Sequence, residues 1–362
     1  MLQEDAQGIA SWADWTFFVS RISPQTAFAN CLAFIWCLVA ASFIRWFMRL
    51  KMRQQSRLTC IQQFTDPSET FVDILVHRSE EEELATALHA VQAIPTDELC
   101  TRNFILGPAL AARMDAVRYQ IVNGPGLAIL RLPKSYCAQA GEETVTRAFV
   151  GLCTHLGCMI PQSKDLMERV ARVETPRDHH IIASPNTTRR GYRNSKEQIV
   201  HCDASIPAAR GCGQTDILAM LCIRPSSDGG GVSRLTSAEA LYAALQATQP
   251  THVTRLARGF RYDAQIEWLP HWRQPQTSTV EVPILWRDKH GRACVQYGVN
   301  LRANLEAAYG GRDEIDKAGV AALDALNETA NSRACRHTLR LEAGWALICD
   351  NYRWMHGREE FL

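Results

Sequence analysis

The chain has 362 residues, with 39 basic against 38 acidic side chains and a formal net charge of +1. So even a balance leaves no basic field for a nucleic-acid backbone, and DNA or RNA partners are not expected. The 13 cysteines are odd in number, irregularly spaced and without a Cys-x-x-Cys pair, which argues against a disulfide framework or a structural zinc site and reads them as small buried residues of a reducing compartment.

Residues 1–60 read as an N-terminal extension and residues 61–362 as one large domain, for which 46% hydrophobic content allows a sizeable core. Within the extension, Ala27 to Ile44 is an 18-residue stretch without a formal charge, followed by Arg45, Arg49, Lys51, Arg53 and Arg57. That length only just reaches the threshold for a membrane span, about 18–20 residues. The basic cluster would hold the following domain on the cytoplasmic side. A cleaved signal peptide fits poorly, because the charges follow the apolar stretch. The alternatives are a helix packed on the domain, or sequence translated from a misplaced start. The expected location is cytoplasmic, free or anchored through 27–44.

Ser79-Glu-Glu-Glu82 has the form of a capping box, opening a helix with Leu84, Ala87, Leu88 and Val91 on one stripe. Gly107-Pro108 starts a second helix with Leu110, Met114, Val117 and Ile121 on one side, proline being tolerated in the first turn. Leu127 to Leu130 reads as a buried strand and Glu142 to Leu156 as a helix. Ser163 to Ser195 is long and polar, read either as a mobile segment over a site or as a solvated surface loop. Ile217 to Ile223 reads as a strand and Thr236 to Thr248 as a helix. Gly229-Gly-Gly231 lacks the Gly-Lys-Ser/Thr of a phosphate loop and reads as a turn. Val280 to Trp286 and Ala293 to Gly298 read as a strand pair around Asp288-Lys-His-Gly291. Asp313 to Thr329 reads as a helix, and Thr338 to Leu341 with Trp345 to Asp350 as a hairpin about Gly344. Trp345 and Trp354 are expected in the core.

The residues that carry chemistry are His201-Cys-Asp203 and His356, 153 positions later (356 minus 203). On a strand, residues i and i+2 share a face, so His201 and Asp203 can reach one ion. Two imidazoles and one carboxylate on one face of an octahedral metal leave three positions open, the ligand set of non-haem Fe(II) oxygenases. Taken singly, His201 reads rather as a satisfied buried histidine and Asp203 as a turn acid; His356 and the surrounding sequence reverse that reading. His155, His179, His180 and His337 read as structural.

The surrounding blocks resemble the TauD/TfdA and clavaminate-synthase-like family of Fe(II)/2-oxoglutarate oxygenases, from about Phe104 to Phe361. Gly124-Pro-Gly126, Leu156-Gly157-Cys-Met-Ile-Pro161-Gln162-Ser163, Gln198-Ile-Val-His201-Cys-Asp203, Leu221-Cys-Ile-Arg224 with Gly230-Gly231-Val-Ser233, and Gly344 to Asp350-Asn351 leading into His356-Gly-Arg358 carry the likeness, in order. The resemblance implies a mainly β fold with flanking helices around a double-stranded β-helix, or jelly roll. It implies His201, Asp203 and His356 as Fe(II) ligands and 2-oxoglutarate and O2 as co-substrates. It also implies succinate and CO2 as products, with oxidation of a C–H bond in a small polar or amino-acid-like substrate. An aspartate at the carboxylate position implies hydroxylation, desaturation or ring chemistry rather than halogenation. Ser233 would hydrogen-bond the distal carboxylate of 2-oxoglutarate. The family's arginine anchor lies further beyond the distal histidine than Leu362, so the sequence reads first as a truncated copy, since the arginine of the His-x-Arg block is usually a separate position in the family; the second reading is that Arg353 or Arg358 substitutes. We take Arg358 as the candidate. The Asp350-Asn351 pair and Arg358 are expected to support His356, with Asp350 taking its free N–H. The competing expectations are an inactive relative acting as a binding or regulatory protein, and a metal-binding jelly roll of the cupin kind. Oligomeric state is left open.

Overall fold

The computed structural model describes residues 70–160, 169–173, 196–203, 215–263, 279–298, 301–311 and 314–361. The chain divides into two compact units, Met1–Thr65 and Asp66–Leu362. The extension with its 27–44 stretch lies outside the described residues, as do Pro161 to Ser163 and most of the polar segment 163–195. No helix among the described residues is long and apolar enough to cross a membrane.

In chain order, the second unit runs through β1 (Phe71–Asp73), α1 (Arg78–Ala90), α2 (Pro108–Val122), β2 (Leu127–Arg131) and α3 (Lys134–Cys153). It continues with β3 (Gln198–His201), β4 (Ile217–Leu221), β5 (Ser233–Ser237), α4 (Ala238–Thr248), α5 (Pro250–Ala257), β6 (Phe260–Asp263), β7 (Thr279–Val282), β8 (Leu285–Arg287) and β9 (Ala293–Val295). It closes with α6 (Leu301–Tyr309), α7 (Lys317–Asn331), β10 (Arg336–Leu339), β11 (Trp345–Asp350) and β12 (Trp354–Arg358). Two four-stranded sheets result, in the orders β1-β2-β11-β4 and β10-β5-β12-β3, with two separate ribbons, β6-β7 and β8-β9. Among the described residues the helices contribute more of the chain than the strands, so the architecture is mixed rather than mainly β.

Strand alternation sorts the core into layers. On the first sheet, Ala128, Leu130, Ala346 and Ile348 pack with Leu84, Leu110, Val117 and Val145 of α1, α2 and α3. On the second sheet, Val200 and Met355 pack with Leu241, Leu256 and Leu326 of α4, α5 and α7. The alternate residues Leu127, Ile129, Leu347, Cys349, Leu235 and Trp354 are just as buried but belong to neither helix-facing cluster. They line the opposite faces of the two sheets. Trp354 donates its indole N–H to the Pro125 carbonyl beside β2 (3.0 Å) and so joins those faces.

The local reading held for α2, whose buried residues are Leu110, Met114, Val117 and Ile121, and for β2. Four expectations need correction. The first helix starts two residues early. Its N-cap is His77 rather than Ser79, and Glu80, not Glu82, reaches back, accepting the Val76 N–H at 2.8 Å and the His77 N–H at 3.4 Å. Glu82 instead pairs with exposed Arg78. The helix of 142–156 begins at Lys134, with a bend at Gly141. β7 pairs with β6, and only β8 and β9 form the hairpin around Asp288–Gly291. Finally, 338–341 and 345–350 are not a hairpin, since β10 pairs with β5 in one sheet and β11 lies between β2 and β4 in the other. Gly344, at φ +83°, takes the left-handed turn that carries the chain between sheets, and its N–H bonds to the Cys222 carbonyl (2.9 Å).

Glu80 is almost fully buried and pairs with Arg113 at 2.8 Å. Burial would raise its pKa, but the Arg113 hydrogen bond and the two backbone N–H groups outweigh burial and hold the carboxyl below its ordinary 4.5. A carboxyl with a depressed native pKa stabilises the fold above its unfolded value and loses that stabilisation as pH falls through the folded one. Glu80→Gln is therefore expected to cost about 1–3 kcal/mol at neutral pH. The gap to the wild type should shrink as pH drops below 4.5, and urea unfolding at both pH values reads it.

Candidate metal site

His201 ends β3 and His356 is the middle residue of β12, and the antiparallel pairing of these strands sets the two histidines directly opposite each other. Both point to the face away from the helices, being alternate to Val200 and Met355. Their rings lie 4.4 Å apart between centroids, tilted by 47°. Asp203 stands two residues past the end of β3. Its Oδ1 is 3.5 Å from His201 Nε2 and its Oδ2 is 3.6 Å from His356 Nε2. The three donor atoms all lie within 4.8 Å of one another. Both imidazoles are about 5% exposed, whereas the Asp203 side chain is 45% exposed, so the cluster opens on the carboxylate side.

The ring chemistry suits a metal. His201 Nδ1 lies 2.7 Å from the Ile199 carbonyl. A carbonyl only accepts, so Nδ1 carries a proton directed at Ile199, and Nε2 is the ring nitrogen that faces Asp203. His356 is held neutral: burial pushes its pKa down to about 4, His201 adds to that, and Asp203 opposes it. Two imidazole nitrogens and a carboxylate oxygen, convergent from one side, fit the facial set of non-haem Fe(II) sites.

Asp350 does not take the expected supporting role. Its carboxylate accepts the Tyr352 N–H (3.0 Å) and closes the turn between β11 and β12, with burial raising its pKa. Asn351 is the residue that reaches the site. Its Oδ1 accepts the Asp203 N–H at 3.0 Å, while its Nδ2 donates to the carbonyls of Asp203 (2.7 Å) and Thr215 (2.9 Å). The sequence pointed to the Asp-Asn pair, but which member serves depends on which face the turn presents. His356 Nδ1 has no hydrogen-bond partner among the described residues.

Ser233 and Arg358 face each other across β5 and β12, two residues along each strand from the Leu235–His356 pair. By alternation they share the face of His356. Ser233 is buried. Arg358 stacks on Phe361 at 4.6 Å, and burial pushes its guanidinium down to about 10. Arg353 is turned elsewhere, donating to the Gly124 carbonyl (2.8 Å).

A family model described as taurine catabolism dioxygenase TauD, TfdA family matches residues 105–362. No curated protein sequence matches the chain. Among solved structures, asparagine oxygenase in complex with Fe(II), 2S,3S-3-hydroxyasparagine and succinate is 17% identical, with a TM-score of 0.54 over 80% of this chain and 88% of that one. The non-heme iron oxygenase OrfP in complex with Fe and alpha-ketoglutaric acid is 14% identical, with a TM-score of 0.51 over 81% and 88%. OrfP in complex with Fe, succinate and (3S)-hydroxy-L-Arg is 15% identical, with a TM-score of 0.52 over 80% and 88%. These likenesses are of fold, while the family model covers most of the sequence. The chain belongs to the taurine catabolism dioxygenase TauD, TfdA family and is a 2-oxoglutarate-dependent, non-haem iron dioxygenase.

Proposed function

We propose that the protein hydroxylates an unactivated C–H bond of a small, polar, amino-acid-like metabolite. The convergence of His201, Asp203 and His356 carries the reading. The neighbours named for hydroxyasparagine and hydroxyarginine support the substrate class. In this reading the two sheets form a double-stranded β-helix, with the site on the faces turned from the helices. Residues 204–214 and 264–278, which follow Asp203 and β6, lie outside the described residues.

His201 and His356 would hold Fe(II) through their Nε2 atoms and Asp203 through a carboxylate oxygen. When bound, Fe(II) with 2-oxoglutarate and O2 supplies the oxidation, releasing succinate and CO2. The residues of the chain bind and orient. The buried imidazoles would shield a bound ion from water on their side, and substrate would approach from the more exposed side of Asp203. Ser233 and Arg358 hold the distal carboxylate of 2-oxoglutarate. A half-desolvated guanidinium is a strong partner for a carboxylate. Alternate residues on a strand are separated by about 6.6 Å, which sets Arg358 clear of the metal-binding end of the co-substrate.

Arg358→Ala is expected to raise KM for 2-oxoglutarate roughly 10–100-fold, the equivalent of one charge-assisted hydrogen bond of about 1.5–3 kcal/mol. Fe(II) affinity should be unchanged, and equilibrium titration with steady-state kinetics separates the two. The function itself is tested by a screen of free L-amino acids, scored by succinate release together with a product heavier by one oxygen atom. One amino acid that gives both supports the reading. Succinate release that no amino acid stimulates, from protein that binds Fe(II) and 2-oxoglutarate, would remove the substrate class.

A further inference from the structure

We infer that Asn351 is a positioning residue for the metal site: its side-chain amide continues the β-ladder past the end of β3 and fixes Asp203 as a ligand. The inference rests on Asp203 being a metal ligand. β3 ends at His201, so ladder hydrogen bonds with β12 stop one residue before Cys202. The Cys202 N–H is taken by the Tyr297 carbonyl at 2.7 Å. For Asp203 the partner is a side chain. The Asn351 amide accepts the Asp203 N–H and donates to the Asp203 carbonyl, the two bonds a neighbouring strand residue would make.

The other Asn351 N–H goes to the Thr215 carbonyl, and its backbone N–H goes to the Asp216 carbonyl at 2.8 Å, both just before β4. Asn351 is 1% exposed, so each of these bonds is made away from water. It also lies five residues before His356 (356 minus 351) on the same turn-and-strand unit. The amide thereby ties the position of one ligand to the strand that carries another. Asp203 is the one ligand of the three outside regular structure and on the open side of the site, so the amide supplies the hold that a strand gives the two histidines.

The test uses the full chain with Co(II), whose visible d–d bands report coordination, and Fe(II) under anaerobic conditions. Asn351→Ser removes the reach of the amide, and Asn351→Asp keeps its shape but cannot donate. Leu84→Ala, in the helix-facing cluster of the other sheet, serves as a control that destabilises without touching the site. Both Asn351 variants are expected to bind metal roughly 10–100-fold more weakly, with altered Co(II) bands at saturation, while Leu84→Ala lowers Tm and leaves affinity and bands as in the wild type. Wild-type affinity and bands in folded Asn351 variants would overturn the inference, as would an equal loss in Leu84→Ala or failure of both Asn351 variants to fold. A wild-type protein that binds no metal would instead overturn the ligand reading, and this inference with it.

Discussion

His356→Ala is expected to abolish saturable Fe(II) binding in the micromolar range, a loss of at least about 100-fold. Outer-shell substitutions alone cost 10–100-fold, and His356 contributes a donor atom itself. Its Nε2 lies within 4.8 Å of the donor nitrogen of His201 and the donor carboxylate oxygen of Asp203, and its ring is held neutral by burial. Two remaining donors cannot define a face of an octahedron, so the ion keeps more of its water. His201→Ala should behave alike, for the same geometric reason. Asp203→Ala should also fall, although its more exposed side chain makes the change less disruptive to the fold. Anaerobic equilibrium titration reads the affinity, and circular dichroism checks that the fold persists. Saturable binding at wild-type affinity in folded His356→Ala would remove His356 from the site.

Gly357→Ala should harm metal binding more than its single methyl group implies. A Cβ at this position would stand 2.7 Å from the Gln198 carbonyl oxygen and 2.9 and 3.0 Å from the carbonyl carbon and oxygen of Ile199. All three are backbone atoms of β3, paired with β12 and unable to rotate aside. The strands must separate locally, at a point where their register already shifts between His356 and Arg358. The Ile199 carbonyl is also the acceptor that fixes the His201 ring. Overpacking of this kind costs about 1–3 kcal/mol, readable as a lower urea midpoint. The same displacement moves His201 away from His356, so Fe(II) affinity should drop as well. A variant with the wild-type midpoint and affinity would show that the two strands do not set the ligand spacing.

Much of the site was legible in the sequence because its residues are chemically specific. His201-Cys-Asp203 and His356 come together where the alternation on a strand and the surrounding blocks placed them. The α2 stripe was equally legible, since its apolar residues repeat at helical spacing and all four are buried. What failed was pairing at a distance. Nothing local says that β7 takes β6 rather than β9, or that 345–350 crosses to the other sheet instead of folding back on 338–341. Both choices are made by which hydrophobic face finds a partner. The capping box was misplaced because Ser79 and Glu82 have the right chemistry, while Glu80 gains more by burying its carboxylate against Arg113. Asp350 and Asn351 could not be told apart because adjacent residues in a turn point in different directions, and the direction is set by how the turn packs between β11 and β12. Gly357 carried no chemical signal, and its role is the closeness of two backbones.

Whether His201, Asp203 and His356 hold Fe(II) and leave room for 2-oxoglutarate is read by anaerobic addition of Fe(II) and then 2-oxoglutarate to the purified full chain, following the visible charge-transfer band of the chelate. The band is expected in the wild type and not in His356→Ala. A folded wild-type protein that binds both but shows no band, or a band of full strength in His356→Ala, would contradict the account.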